Sequence, residues 1–333
     1  MSRILVSGGA GYVGSALVPK LLNKGHEVIV FDTFWYWESP QEFLEKTGLH
    51  GNKKVRLIKG DLRNRDEVRE AVRGADTVIQ LASISNDPSS DLDKDFTHSI
   101  NYDGNVTIID ESKKAEVKRF IYASSASVYG VKEEPNVTEE MGLKPLTQYS
   151  ELKAEIENYL LGQFDNEFKG VIIRPSTVCG YSPRQRLDVV VNILTNLAVN
   201  KGKIKVLGGG QLRPNIHIDD MVDLYILLVE IDIGKINGKV YNAGWENLKV
   251  IDIAKQVKEV VGDVDIEVAP TDDNRSYHIS SEKIKKELGF APKKTVKDAI
   301  RDLKRAFEQG KIPNADNDSY YNIKRMKRLL GIK

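Results

Sequence analysis

Tyr149 and Lys153 stand four residues apart in Gln148-Tyr149-Ser150-Glu151-Leu152-Lys153, at the start of a helical pattern that continues through Ala154, Ile156 and Leu160. On a helix that spacing puts both side chains on one face. A phenol with an ordinary pKa of about 10 is a poor base at neutral pH, but a neighbouring ammonium favours the phenolate. The pair can therefore serve as a general base for a hydroxyl proton. Y-x-x-x-K alone arises often by chance, so its weight depends on its surroundings.

Those surroundings begin at the N-terminus. Directly after the first apolar run comes Gly8-Gly9-Ala10-Gly11-Tyr12-Val13-Gly14, and a helical pattern follows through Ala16, Leu17 and Leu21. Glycines at this spacing allow a tight turn and close backbone approach to a pyrophosphate, while the helix start offers N–H groups to negative charge. Asp32 ends the second apolar run, where a carboxylate accepts hydrogen bonds from adenosine ribose hydroxyls and repels a 2′-phosphate. No Arg or Lys follows Asp32 before residue 46, so NAD is favoured over NADP. The positive ring of NAD⁺ is a second influence toward the phenolate of Tyr149. Pro19, inside the first helix, reads as a local kink.

The elements that must position these groups are legible as a rhythm. Runs rich in Val, Ile and Leu at 4–7, 27–32, 55–59, 77–82, 119–124 and 171–174 alternate with amphipathic stretches, among them 105–117, where Glu111 and Lys114 turn away from Val106, Ile109 and Ser112. Strands apolar on both faces and separated by helices imply an α/β fold, a Rossmann-type doubly wound parallel sheet. After about residue 175 the pattern loosens into glycine-rich turns, strands at 204–207 and 266–269, and helices at 189–199 and 251–261. The expected organisation is a NAD-binding domain over 1–175 and a smaller mixed α/β substrate lobe over 176–333, with the chain crossing between them. No Pro/Ser linker divides the two, so a cleft between them is the expected site. The C-terminal residues 320–333 read as a docked helix with a solvated basic face.

The 333 residues are 41% apolar and 29% charged, enough to bury a large core, and 49 Lys plus Arg against 48 Asp plus Glu leave a formal net charge of +1. That balance gives no general attraction to nucleic acid or to an anionic membrane. The single cysteine, Cys179, excludes an intrachain disulfide and a multi-cysteine zinc site, and reads as a small buried hydrophobe. No signal-peptide pattern or spanning apolar run occurs, so a soluble, unprocessed, cytoplasmic protein is expected.

With these pieces in register, the chain resembles the extended short-chain dehydrogenase/reductase family, in particular its nucleotide-sugar epimerases and dehydratases of the UDP-glucose 4-epimerase type. The matching pieces are the glycine run, Gly60-Asp61-Leu62, Leu81-Ala82-Ser83, Asn101, Ser124-Ser125-Ala126-Ser127-Val128-Tyr129-Gly130, Tyr149 with Lys153, and Arg174-Pro175. Arg213, His217 to Asp220, and Arg275 match in the second lobe. The resemblance implies a cofactor site of Gly8, Gly11, Tyr12, Val13, Gly14 and Asp32, with Asp61 and Leu62 at the adenine. Leu81, Ala82 and Ser83 would line the pyrophosphate and nicotinamide ribose, with Pro175 beside them. Asn101 and Lys153 would steady the cofactor-side hydrogen-bond chain. Tyr149, Lys153 and Ser125 would be the catalytic set, Ser125 bonding the reacting sugar oxygen.

Arg213 and Arg275 resemble two arginines that clamp a nucleotide diphosphate, a task suited to a planar fork of donors. Ser85, Asn86, Ser127 and Thr177 complete the substrate candidates; no metal is implied. The family also implies a homodimer built on the helices at 105–117 and 149–164. Departures narrow the chemistry. Ala126-Ser127 stands where dehydratases carry an Asp-Glu pair, so no acid is evident for a leaving hydroxyl. Thr177 replaces a usual Asn and Gln80 a usual His, which leaves the sugar open. Asn86-Asp87 either faces the sugar or forms an exposed turn, and Ser276-Tyr277-His278 after Arg275 leaves a surface role open there. His217 reads as a packed residue before a helix start. The implied activity is NAD-dependent epimerisation of a nucleotide-diphosphate sugar at C4 through a 4-keto intermediate. The alternatives are a C4 dehydrogenase or 4-keto reductase, then a 4,6-dehydratase or a non-catalytic NAD-binding regulator.

Overall fold

The computed structural model describes residues 1–271 and 276–332. Strands β1 (Arg3–Ser7), β2 (Glu27–Asp32), β3 (Val55–Lys59), β4 (Thr77–Gln80), β5 (Arg119–Ala123) and β6 (Lys169–Pro175) lie close to the runs read from sequence. They are followed by β7 (Thr177–Cys179), β8 (Lys203–Leu207), β9 (Leu212–His217), β10 (Lys239–Ala243), β11 (Glu246–Lys249) and β12 (Asp265–Ala269). The central seven-stranded sheet has the order β10-β6-β5-β4-β1-β2-β3 and is parallel throughout. Small sheets β11-β9-β7 and β12-β8 belong to the later part of the chain, whose core gathers Leu194, Ile204, Ile253 and Ile300. β10 thus returns from the second half of the chain into the sheet of the first.

Both faces of the central strands are apolar because both are covered. In β1, Ile4 and Val6 join Val28 and Val30 against helices Tyr12–Asn23 and Ile218–Glu230. Leu5 turns to the other face with Ile29, Phe31 and Val78, against helices Arg65–Val72 and Asn105–Lys114. Successive crossovers run one way from β1 through β2 to β3 and the other way from β4 to β6. The carboxyl ends of β1 and β4 therefore flank a crevice at the point of reversal, where ligands bind in such sheets.

The structure departs from the sequence reading at one helix. The helix expected over 105–117 is entered through a π-helical turn, Ser99–Gly104, and ends at Lys114. Glu111 is only 2% exposed, bonded to Arg65 at 2.7 Å, Arg69 at 3.1 Å and Lys114 at 3.0 Å. Three cations converging on it offset the cost of burying its charge, which the helical period alone does not reveal. Helix Tyr12–Asn23 runs on through Pro19. Helix Asn322–Leu330 docks on the first half of the chain, Met326 packing with Ile84 and Ile100. Among the described residues no helix is long and apolar enough to cross a membrane.

Candidate active site

A cavity of about 350 Å³ opens at the carboxyl ends of the central strands. Its floor is the glycine turn after β1. Gly8 has φ +75°, and a Cβ there would lie 2.6 Å from the Ala82 backbone nitrogen. At Gly14 a Cβ would meet the Gly8 carbonyl oxygen at 2.5 Å. Gly11 starts helix Tyr12–Asn23 with no side-chain cap, so the first-turn N–H groups of Tyr12, Val13 and Gly14 remain unclaimed by any capping side chain. Asp32 closes the wall: Oδ2 accepts from Ala10 N at 3.0 Å and Oδ1 from Phe34 N at 2.9 Å. Burial raises its pKa against the pull of those amides. Asp32 therefore also fixes the glycine turn from below. A cradle that a Cβ would fill, an uncapped helix start and a carboxylate beside them fit the diphosphate and ribose of NAD.

Asp61 and Leu62 after β3, and Leu81, Ala82 and Ser83 after β4, line this cavity as expected, as does Pro175. Asn101 does not. Its Oδ1 accepts from Ile84 N at 2.8 Å and its Nδ2 donates to Ile84 O at 3.0 Å, so both ends of the amide pin the loop after β4. Ser85 and Asn86 in that loop line the cavity, as does Asp87. Asn86 takes φ +90° there and accepts from Ser89 N at 3.0 Å.

Tyr149 is the second residue of helix Gln148–Leu161, whose start is fixed by a reciprocal cap: Thr147 Oγ1 accepts from Ser150 N at 3.3 Å and Ser150 Oγ from Thr147 N at 3.2 Å. It shares the cavity with Ser125, Ser127 and Thr177. Burial and then Asp87 push its phenol up to about 12, while the Ser125 hydroxyl and Arg186 act the other way. Asp87 itself accepts from Thr147 Oγ1 at 2.6 Å.

Lys153 does not reach the cavity. Its Nζ donates to Ala123 O at 2.8 Å, 4.9 Å from the Tyr122 ring centroid and 5.8 Å from that of Tyr149. Burial lowers its pKa to about 7 against the field of Glu157, one turn along the same helix. Glu157 receives Arg174 Nη2 at 2.6 Å and the Ser124 hydroxyl, forming a buried network behind the cavity.

Arg213 lies on β9 away from the cavity lining, its guanidinium carbon 5.5 Å from the ring centroid of Tyr277, which does line it. The expected Arg275 lies outside the described residues. His217 caps helix Ile218–Glu230, Nδ1 accepting from Asp219 N at 3.0 Å. Its carboxylate neighbours Asp219 and Asp302 share Lys294 at 2.5 and 3.4 Å. Cys179 is fully buried.

Sequence reasoning missed Arg184, Arg186 and Tyr36, all on the cavity wall, as well as Asn322 and Met326 from the terminal helix. Pro183-Arg184-Gln185-Arg186 was a usable signal: a basic pair in a loop soon after Pro175 and Thr177, which line the same cavity. For Asn322 there was none, because the terminal pattern showed only a basic face.

The fold and the cradle define a Rossmann-type enzyme that uses NAD. The NAD dependent epimerase/dehydratase family model matches residues 4–244, and the chain belongs to that family. It is 28% identical to UDP-glucose 4-epimerase 3 of Oryza sativa subsp. japonica over 334 residues, covering 90% of this chain and 88% of that protein. It is 33% identical to the human sterol-4-alpha-carboxylate 3-dehydrogenase, decarboxylating, over 236 residues, 68% of this chain and 57% of that protein. Among solved structures, the Thermus thermophilus UDP-glucose 4-epimerase complex with NAD superposes with a TM-score of 0.79 at 24% identity, covering 92% of this chain and 99% of that one.

Proposed function

We propose that this enzyme epimerises a nucleotide-diphosphate sugar at C4. The observation that carries this reading is the convergence of Ser125 and Tyr149, joined by a side-chain hydrogen bond, in the same cavity that the glycine cradle and Asp32 line. Bound NAD supplies the hydride acceptor and donor, together with a positive charge beside Tyr149. Without that charge the Tyr149 phenol holds its proton at neutral pH, since burial keeps its pKa at about 12. The Ser125 hydroxyl, the helix N-terminus and Arg186 all favour the phenolate, so Tyr149 Oη takes the C4 hydroxyl proton and later returns it. Ser125 steadies the sugar oxygen, and Lys153 acts on Tyr149 from behind the ring. Ala126-Ser127 places no carboxylate where a dehydratase needs one. Arg213 and Arg275 remain our candidates for the diphosphate clamp. In this division of labour, 1–175 serves mainly the cofactor and 176–333 mainly the substrate, in the cytoplasm.

The test is incubation with UDP-, GDP- and dTDP-sugars. Appearance of the C4 isomer supports the proposal. Accumulation of a keto-sugar or of NADH means instead a C4 dehydrogenase or 4-keto reductase.

Asp32→Ala is expected to weaken NAD binding and narrow the preference over NADP, since it removes the ribose acceptor and the repulsion of a 2′-phosphate. It also orphans the buried amides of Ala10 and Phe34, at about 1 to 3 kcal/mol each, so the thermal midpoint falls as well. Dissociation constants for both dinucleotides check this; an unchanged ratio removes Asp32 from the ribose site.

A homodimer is part of the proposal. Helices Asn105–Lys114 and Gln148–Leu161 leave Val106 and Tyr159 only partly buried and Leu161 38% exposed. Sedimentation at micromolar concentration is expected to give a dimer, and a monomer counts against this face as an interface.

A further inference from the structure

Arg184 stands on the cavity wall with Asp32 and Tyr36, yet nothing in the glycine fingerprint calls for it. It is only 4% exposed. Its guanidinium carbon lies 3.6 Å from the Tyr36 ring centroid, and Nη2 donates to Asn322 Oδ1 at 2.7 Å. Stacking and that hydrogen bond hold the planar fork in one orientation. Its loop is tied to the helix that opens after the glycine turn: Ser182 Oγ donates to Tyr12 O at 2.6 Å, and Arg184 N to Ser15 Oγ at 3.0 Å.

Charge balance is the unusual feature. Arg186, two residues on, is paired with Asp188 at 2.9 Å. Among the described residues Arg184 has no ion-pair partner, and its buried Nε has no hydrogen-bond partner. Burial, and then Arg186, lower its pKa to about 10, against the raising influence of Tyr36, Asp188 and Asp32. A buried cation that carboxylates influence only from a distance, with no direct ion pair, is costly, and a protein of near-neutral net charge has no other general attraction for an anionic ligand.

We propose that Arg184 is a cofactor-binding residue that takes a phosphate oxygen of the dinucleotide. A guanidinium fork suits phosphate, and the anion supplies the direct partner that Asp32 and Asp188 do not. Two phosphates offer this chemistry: the diphosphate of NAD at the helix start, and the 2′-phosphate of NADP beside Asp32. Asp32 disfavours the second.

The experiment measures affinities of the full-length chain, freed of copurified dinucleotide, for adenosine, ADP-ribose and adenosine 2′-monophosphate. Wild type is compared with Arg184→Met and Arg184→Lys. Arg184→Met is expected to weaken ADP-ribose by about 10- to 100-fold and leave adenosine unchanged, with Arg184→Lys recovering part of the loss. A loss on adenosine 2′-monophosphate instead of ADP-ribose also supports phosphate binding and assigns it to the 2′ position. Equal losses on all three probes, or none, overturn the proposal. The thermal midpoint of the ligand-free Arg184→Met variant separates a packing role: removal of an unpaired buried charge leaves it level or higher. A lower midpoint together with lost adenosine binding marks Arg184 as structural and overturns the proposal too.

Discussion

Tyr149→Phe is expected to cut turnover by about 10² to 10⁴, the usual contribution of a positioned acid/base, while NAD affinity and thermal midpoint change little. The small structural cost follows from what the hydroxyl touches. Ser125 Oγ keeps a partner in Ser127 Oγ at 2.8 Å, so loss of the phenol leaves no buried donor stranded there. The large catalytic cost follows because Ser125 and Ser127 have ordinary hydroxyls that hold their protons throughout the accessible pH range. Wild-type turnover is expected to rise with pH as the phenol, held at about 12 in the cofactor-free site and lowered by the bound positive ring, gives up its proton. The Phe variant loses that limb. Steady-state kinetics across pH on both proteins check this, and a Phe variant with full turnover would return Tyr149 to a packing role.

The central sheet was legible because its strands obey a simple physical rule. Ile4, Leu5 and Val6 are all apolar since both faces of β1 are covered, and such a run between glycine turns and helical periods has few other interpretations. The cofactor end was legible because a close backbone approach excludes side chains, so the requirement is written into residue identity at Gly8 and Gly14. What escaped depends on distant partners. The period of one helix gave no sign that Glu111 is buried, because Arg65 and Arg69 come from another helix. Asn101 resembled a cofactor ligand by position, but its amide is consumed by Ile84. Arg184, from a loop, and Asn322, from the start of the terminal helix, meet on the cavity wall from positions far apart in sequence, and local pattern carries no information about such pairs.

Lys153→Met is expected to stabilise the cofactor-free protein near neutral pH while depressing turnover. Lys153 titrates at 10.5 when unperturbed and at about 7 in the fold, because burial penalises its ammonium more than Glu157 supports it. Between those values the unfolded chain binds a proton that the folded chain has released, so stability rises with pH across the window. Below about pH 7 both states are protonated and the whole cost of the buried charge is present. A displacement of that size corresponds to a cost of roughly 4 to 5 kcal/mol. Methionine has the length of the stem and no charge to bury, and its losses are the bond to Ala123 O and the contact with the Tyr122 ring. Urea midpoints of both proteins from about pH 7 to about pH 9.5, below the range where Tyr149 ionises, isolate the effect by difference. The variant's advantage is expected to shrink steadily as pH rises; parallel curves would mean that the lysine is not titrating in that window. Lys153 does not line the cavity, so its catalytic value lies in positioning: it sits on the Tyr149 helix, 5.8 Å from that ring's centroid, and ties the helix to the Ala123 carbonyl at 2.8 Å. A substitution that stabilises the fold yet depresses turnover, lowering kcat with KM little changed, is what distinguishes such a positioning residue from a structural one.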